Sequence, residues 1–415
     1  MGERVVITGM GAITPLGHTV DETWSNLLEG QSGVGPITLF DSTDHDAKIA
    51  GEVKDFDPAR WLDHKETRRL DRFCQFALIA AREALADSGL VIDEANSEEI
   101  GVMIGSGIGG ITTLSEQLEV LRSKGPRRVS PFLIPMYIID LAAGQIAIAT
   151  GARGPNLGVV SACATSAHAL GEAAELIRRG DAVAMIAGGS EAGVTPIGIA
   201  GFASMKALST RNDDPAHASR PFDRERDGFV MAEGGGVMIL EAESHARARG
   251  ARIYAELAGY GATDDAYHIT APSEGGEGGV RAMRIALRKA GLNPEDVDYV
   301  NAHGTSTPIN DRLETEAIKT VFGAHAPSLP VSSTKSMTGH MIGAAGVVES
   351  IACVKSIEQG VVHPTINYEF ADPECDLDYV PNEARQHRVD AALTNSLGFG
   401  GHNVSIVFRK YAAAR

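Results

Sequence analysis

Cys163, His303 and His340 are the side chains in this sequence best suited to covalent chemistry, and each stands among small residues. Cys163 lies in Val159-Val160-Ser161-Ala162-Cys163-Ala164-Thr165-Ser166-Ala167-His168, where an apolar run meets a small-residue turn. An Ala-rich amphipathic stretch, residues 165–179, follows and is closed by Gly180. The pattern reads as strand, tight turn, helix, with the thiol at the junction. Unsatisfied N–H groups at a helix N-terminus favour the thiolate, which is the nucleophilic form. The same N–H groups could stabilise an oxyanion on an attacked carbonyl. The rival reading is a buried structural cysteine, because cysteine is among the most buried residue types. The turn position and two histidine motifs downstream favour the nucleophile.

His303 opens His303-Gly304-Thr305-Ser306-Thr307 after an apolar run at 297–302. His340 closes Thr334-Lys335-Ser336-Met337-Thr338-Gly339-His340 after a short run at 330–333. A histidine that follows a strand beside Gly and hydroxyl residues is expected at a sheet edge rather than in a core. His217, His245, His325 and His387 read as structural. His168, on the nucleophile's own helix, reads as a packing or hydrogen-bonding residue, and His402 stays open between the two kinds.

The elements that must position these groups alternate strand and helix. Strands are expected at 4–8, 100–104, 181–187, 237–240, 254–260, 297–302, 330–333, 391–396 and 404–408. Helices are expected at 19–29 with Thr19 as cap, 61–88, 114–122 with Thr113 and Glu116 as a capping box, 141–150, 278–290 and 341–358. Gly105-Ser106-Gly107-Ile108-Gly109-Gly110 follows a strand, yet its spacing fits neither phosphate-binding glycine motif, so nucleotide binding is disfavoured. The sequence of strand, small turn, Ala-rich helix and Gly occurs at Cys163 and again at His340. That suggests internal duplication, with both residues at related helix starts facing across a pseudo-twofold. No low-complexity linker divides the chain. The expected class is α/β, one double domain with halves at 1–250 and 251–415.

Bulk composition excludes several classes. Hydrophobic residues make up 43% and charged residues 22%, enough for a sizeable core. The net charge of −17 opposes general nucleic-acid binding. Cys74, Cys163, Cys353 and Cys375 form no paired motif, so neither a zinc site nor a disulfide framework is indicated and a reduced, cytoplasmic setting is expected. The first residues carry neither a secretory signal nor the myristoylation pattern. No apolar run reaches the roughly 18 residues of a membrane span.

Four segments, 159–170, 301–311, 333–346 and 395–403, resemble the signature segments of β-ketoacyl-[acyl-carrier-protein] synthases of the elongating class (type II), in nearly constant register from Val5 to Phe408. The resemblance implies a thiolase-like fold, two βαβαβαββ halves in five α-β-α-β-α layers, a homodimer, and an acyl carrier protein as partner; no cofactor and no metal-site residues are expected, and a bound monovalent cation stays open. It implies that Cys163 takes the acyl chain, and that His303 and His340 bind a malonyl thioester carbonyl and stabilise the enolate left by loss of CO₂. Backbone N–H groups of Cys163 and Phe399 would form the oxyanion hole. Lys335 would support the site with Glu349 as its partner, and Phe399 and Ile108 would gate the acyl pocket. Thr270, Thr305 and Thr307 match positions that contact the pantetheine arm. Carrier proteins are acidic, as is this chain, so local basic residues must steer docking; the candidates are Lys65, Arg68, Arg69, Lys124, Arg127, Arg128 and Lys206. Thiolases need a second cysteine that the loop 398–402 lacks, initiating synthases replace one histidine with asparagine, and silent chain-length partners lack the nucleophile. A ketosynthase of a specialised polyketide or acyl-chain pathway stays open, because Leu397 and His402 depart from the commonest wording near the site.

Overall fold

Short apolar runs alternating with Ala-rich stretches fold here into a computed structural model that describes residues 3–413. Met1 and Gly2, read above for targeting patterns, lie outside them. The first part of the chain supplies β1 (Val5–Ile13), β2 (Ile100–Gly105), β3 (Asn156–Val159), β4 (Ala184–Glu191) and β5 (Gly234–Ala242). The second supplies β6 (Ala255–Asp264), β7 (Tyr299–Asn301), β8 (Val331–Ser332), β9 (Ala391–Gly398) and β10 (His402–Lys410). The hydrogen-bonded order is β8-β7-β9-β10-β6-β1-β5-β4-β2-β3.

That order contains the same arrangement twice. β1 pairs antiparallel with β5 and β5 with β4, while β4–β2 and β2–β3 are parallel. β6 pairs antiparallel with β10 and β10 with β9, while β9–β7 and β7–β8 are parallel. The two sets are hydrogen-bonded to each other where Val6 and Ile7 of β1 meet Glu256 and Ala255 of β6. Strands such as β1, β4 and β5 are buried along their whole length, as expected of strands covered on both faces.

Five helices fix the layers: α1 (Arg72–Ser88), α2 (Thr165–Arg179), α3 (Glu277–Ala290), α4 (Pro308–Phe322) and α5 (Ala345–Gln359). α1 covers the outer face of β1 and β5, and α3 that of β6 and β10. α2 and α5 pack on each other between the two sets of strands, within a core of small apolar residues such as Ala169, Ala173, Val347 and Val354. The layers are therefore α-β-α-β-α, the thiolase-like arrangement.

α2 and α5 are both 15 residues long, and each ends at a left-handed glycine, Gly180 (φ 81°) and Gly360 (φ 66°). Each is preceded by a single tight turn, Ala162–Ala164 and Ile342–Ala344, whose first residue has positive φ (50° and 44°). Aligned in this way, the counterpart of Cys163 is Gly343. His340 stands three residues earlier, so the expectation that Cys163 and His340 occupy related helix starts is corrected.

Two helix boundaries also differ from expectation. The 61–88 stretch breaks into the short helix His64–Thr67 and α1, because Asp63 and Asp71 each cap a new start. Thr113 caps nothing; its helix, Ile111–Lys124, has already begun, and its hydroxyl donates to Asp71 Oδ2 (2.6 Å). Thr19 does cap its helix, accepting from Glu22 N–H. Among the described residues no helix is long and apolar enough to cross a membrane.

Candidate active site

The turn before α2, the loop after β7 and the segment after β8 bring Cys163, His303 and His340 together. Their donor atoms lie within 4.8 Å of one another. All three are buried, 7%, 2% and 2% exposed. They stand at the wall of a cavity of about 400 Å³ that also takes in Phe399, Thr270, Thr305, Thr307 and Lys206. The histidines are thus buried rather than displayed at an open sheet edge; His340 lies against the Phe229 ring, with centroids 5.2 Å apart.

Burial decides the electrostatics. It pushes the Cys163 thiol up to about 11, and Lys335 and the Phe399 N–H pull weakly the other way. The expectation of a resting thiolate is therefore corrected: Cys163 lies in the turn ahead of α2, and loss of water outweighs the helix end. Burial likewise holds both imidazoles well below their ordinary range, with the Lys335 charge adding to the effect, so both rings are neutral.

Each group is fixed by its own backbone. The Ser161 N–H donates to Thr165 Oγ1 (2.9 Å), and the Thr165 hydroxyl donates to the Ala162 carbonyl (2.7 Å). The N–H groups of His303 and Gly304 both donate to the Glu314 carboxylate, each at 2.8 Å, and Asn395 donates to it at 3.2 Å. Burial raises the Glu314 carboxyl to about 7, opposed by those donors. The His340 N–H donates to the Val230 carbonyl (2.7 Å), and its carbonyl accepts from Ala232 (2.9 Å).

Lys335 sets the tautomer of His303. Its Nζ donates to the His303 carbonyl at 2.7 Å and stands 3.3 Å from Nδ1, while ion-paired to Glu349. An ammonium can only donate, so Nδ1 accepts and the neutral ring carries its proton on Nε2. Cys163, His303 and His340 are a sulfur–nitrogen–nitrogen set of the kind that ligates thiophilic metals. With Nε2 protonated, His303 acts as a donor rather than a ligand. Among the described residues neither ring nitrogen of His340 has a hydrogen-bond partner. Buried polar atoms without partners await a ligand that supplies them.

The remaining expected residues separate into groups. Phe399 sits on the three-residue turn joining β9 to β10, where Gly398 and His402 are paired. Its N–H favours the Cys163 thiolate, against the larger effect of burial. Thr305 and Thr307 share a 2.9 Å hydroxyl hydrogen bond. Ile108 is not on the cavity wall; it packs in the apolar cluster with Phe202 and Ile342, and its N–H donates to Glu191 (3.2 Å). Of the seven basic candidates only Lys206 lines the cavity. Lys65 and Arg68 belong to the short helix and its end, Arg69 stacks over the Phe132 ring at 5.0 Å, and Lys124, Arg127 and Arg128 lie at and beyond the end of the helix Ile111–Lys124. Glu314, Glu191 and Asn395 escaped sequence reasoning. The available signal was an acid on an otherwise apolar helix face (Leu313, Ala317, Ile318) for Glu314, and one ending an apolar strand for Glu191.

Comparison with known proteins gives a consistent picture. The family model described as β-ketoacyl synthase, N-terminal domain, matches residues 2–246, and its C-terminal domain matches residues 254–369. The chain is 57% identical over 409 residues to a 3-oxoacyl-[acyl-carrier-protein] synthase 2 from Synechocystis sp., covering 99% of this chain and 98% of that protein. It is 54% identical over 411 residues to the protein of the same name from Staphylococcus aureus, covering 99% of each. Among solved structures, a type II PKS acyl-carrier protein in complex with its ketosynthase, bound to the hexaketide, is similar with a TM-score of 0.92 at 38% identity, covering 99% of this chain and 100% of that one. A β-ketoacyl synthase from Burkholderia phymatum is similar with a TM-score of 0.91 at 35% identity, again covering 99% and 100%.

Proposed function

The chain belongs to the β-ketoacyl synthase family, and from that premise we propose that it is an elongating β-ketoacyl-[acyl-carrier-protein] synthase. It condenses malonyl-carrier protein with an acyl chain held on Cys163, extending the chain by two carbons in fatty-acid biosynthesis. The observation that carries this reading is the pair of neutral, buried imidazoles beside the thiol, one with its proton directed to Nε2 by Lys335.

In the first step the Cys163 sulfur attacks the thioester carbonyl of an acyl-carrier protein. The N–H groups of Cys163 and Phe399 hold the oxyanion, and the pantetheine thiol leaves with the proton that Cys163 gives up. In the second, the malonyl thioester oxygen accepts hydrogen bonds from the ring N–H groups of His303 and His340. Loss of CO₂ leaves its electron pair as an enolate, whose charge those neutral donors stabilise without a metal. The enolate carbon then attacks the Cys163 thioester, and the sulfur departs as a thiolate that takes up a proton from solvent to restore the thiol. Lys335 and Glu349 fix His303, while Thr270, Thr305 and Thr307 line the path of the pantetheine arm. Phe399 gates the pocket, with Ile108 behind its wall.

The partner is an acidic acyl carrier protein, in line with the carrier complex of the related ketosynthase. Lys206 at the cavity mouth, with Lys65, Arg68, Arg69, Lys124, Arg127 and Arg128, supplies the positive charge for docking. The protein works as a cytoplasmic homodimer of a duplicated unit, halves 1–250 and 251–415. A specialised polyketide role remains the second reading, favoured by the 38% identical polyketide ketosynthase.

The test is a condensation assay with malonyl-carrier protein and acyl-carrier proteins of increasing chain length. Product with ordinary saturated chains, abolished in Cys163→Ala, is the expected result. A wild type that forms neither acyl-enzyme nor product with any of them would reject the fatty-acid assignment.

A further inference from the structure

The turn carrying Cys163 is strained, and one of the side chains that hold it has no part in the chemistry above. Ala162 has φ +50°, a left-handed conformation that a residue with a Cβ adopts only when its surroundings impose it. Thr165 clamps the turn from inside, as described. On its other side, Ser161 Oγ and His168 Nδ1 share a hydrogen bond of 2.7 Å. His168 lies in the first turns of α2, so this bond ties the residue before the strained one to the helix after it.

The ring of His168 also faces the second half. It stands edge-on to His402 (centroids 6.2 Å apart) and to Tyr260 (6.4 Å). His402 follows directly on Phe399-Gly400-Gly401, and its ring lies 3.2 Å from where a Cβ on Gly400 would be. Gly398, at the start of that turn, closes on the Cys163 turn: a Cβ there would meet Ser161 O at 2.8 Å and Cys163 N at 3.3 Å. The two turns that present the Cys163 and Phe399 N–H groups therefore meet around one imidazole. Burial pushes that imidazole down to about 4, so it is an uncharged spacer at neutral pH. It does not line the cavity.

From this juxtaposition we infer that His168 is a positioning residue for the acyl-transfer step: bonded to Ser161 and packed on His402, it sets the separation of the Cys163 and Phe399 N–H groups. The inference rests on the reading of Cys163 as the acylated nucleophile. It explains why a half-buried histidine sits on the nucleophile's helix when its bond to Ser161 reaches no substrate.

Three rates on the purified full-length protein test it: acyl transfer from acyl-carrier protein to Cys163, alkylation of Cys163 by iodoacetamide, and CO₂ release from malonyl-carrier protein. Only the first passes through a tetrahedral oxyanion. His168→Leu is expected to slow acyl transfer by about 10-fold or more, with the other two rates within about twofold. His168→Asn, whose amide can meet Ser161 from the same place, restores most of the rate. Ser161→Ala, a small change that spares the packing, slows acyl transfer similarly, and the double variant Ser161→Ala/His168→Leu is no slower than either single one. Unchanged acyl transfer in both single variants, or equal losses in all three rates, would overturn the inference. A wild type that alkylates but never acylates would instead remove the reading of Cys163 beneath it, a failure visible before any variant is made.

Discussion

The turns Ala162–Ala164 and Ile342–Ala344 occupy matching places in the two halves, yet only the first carries a reactive group. Both begin with a strained positive φ and both launch a 15-residue central helix. In the first, Cys163 faces the cavity. In the second, Gly343 is locked inside: its N–H donates to Glu191 Oε2 (3.0 Å), a carboxylate that also accepts from the Ser106 hydroxyl (2.8 Å) and the Gly107 N–H (2.7 Å). A Cβ at Gly343 would lie 2.4 Å from Gly107 N and 2.8 Å from Glu191 Oε2. The second half instead delivers His340, three residues before its turn, and His303 from the loop after β7. The same turn-and-helix geometry thus occurs twice: one copy carries Cys163, and the other is a closed scaffold beside which His303 and His340 stand.

The comparison breaks most visibly at Lys335, which belongs wholly to the donor side. Lys335→Ala frees the tautomer of His303 and leaves Glu349 buried without its partner. CO₂ release from malonyl-carrier protein is expected to fall about 10²-fold, and removing one member of a buried pair should cost on the order of 3 kcal/mol in denaturant unfolding. Unchanged CO₂ release would detach Lys335 from the decarboxylation. Gly343→Cys would copy the first turn into the second. The space is occupied by backbone and by Glu191, so the variant should lose about 3 kcal/mol or more of stability. A fully stable protein with two reactive thiols would show that the two turns are interchangeable after all.

A smaller effect distinguishes the halves by pH. His168 on α2 has its folded-state value near 4, below the ordinary 6.5, while the matching residue on α5 is Val348. Between these values the unfolded chain binds the proton and the folded chain does not, so stability is lost as pH falls from about 6.5 to about 4. His168→Asn removes this term, and the difference in unfolding free energy between wild type and variant should change by about 2 kcal/mol across that window. A difference independent of pH would contradict the buried, neutral ring.

The sequence made the site legible where chemistry and local pattern coincide. Cys163 in its small-residue turn, the loops ending in His303 and His340, and Lys335 beside Glu349 all come together. The repeat of tight turn, Ala-rich helix and closing glycine was also legible, but its register was misjudged, because residue type drew attention to His340 while Gly180 and Gly360 set the alignment. The thiol's raised pKa was hidden, since it comes from burial in the assembled site, which local spacing does not reveal. Glu314 and Glu191 were hidden for a related reason: each serves backbone N–H groups of another segment, and no local spacing reveals such a pairing. The break before α1 was written in Asp63 and Asp71, whose capping role the basic residues around them obscured.

The most direct measurement separates acylation from decarboxylation in Cys163→Ala and His340→Ala. Cys163→Ala should form no acyl-enzyme and still release CO₂ from malonyl-carrier protein. His340→Ala should take up the acyl chain at a near-normal rate while CO₂ release falls about 10²-fold. Loss of CO₂ release in Cys163→Ala, or equal loss of both steps in His340→Ala, would contradict the division of labour between the two halves.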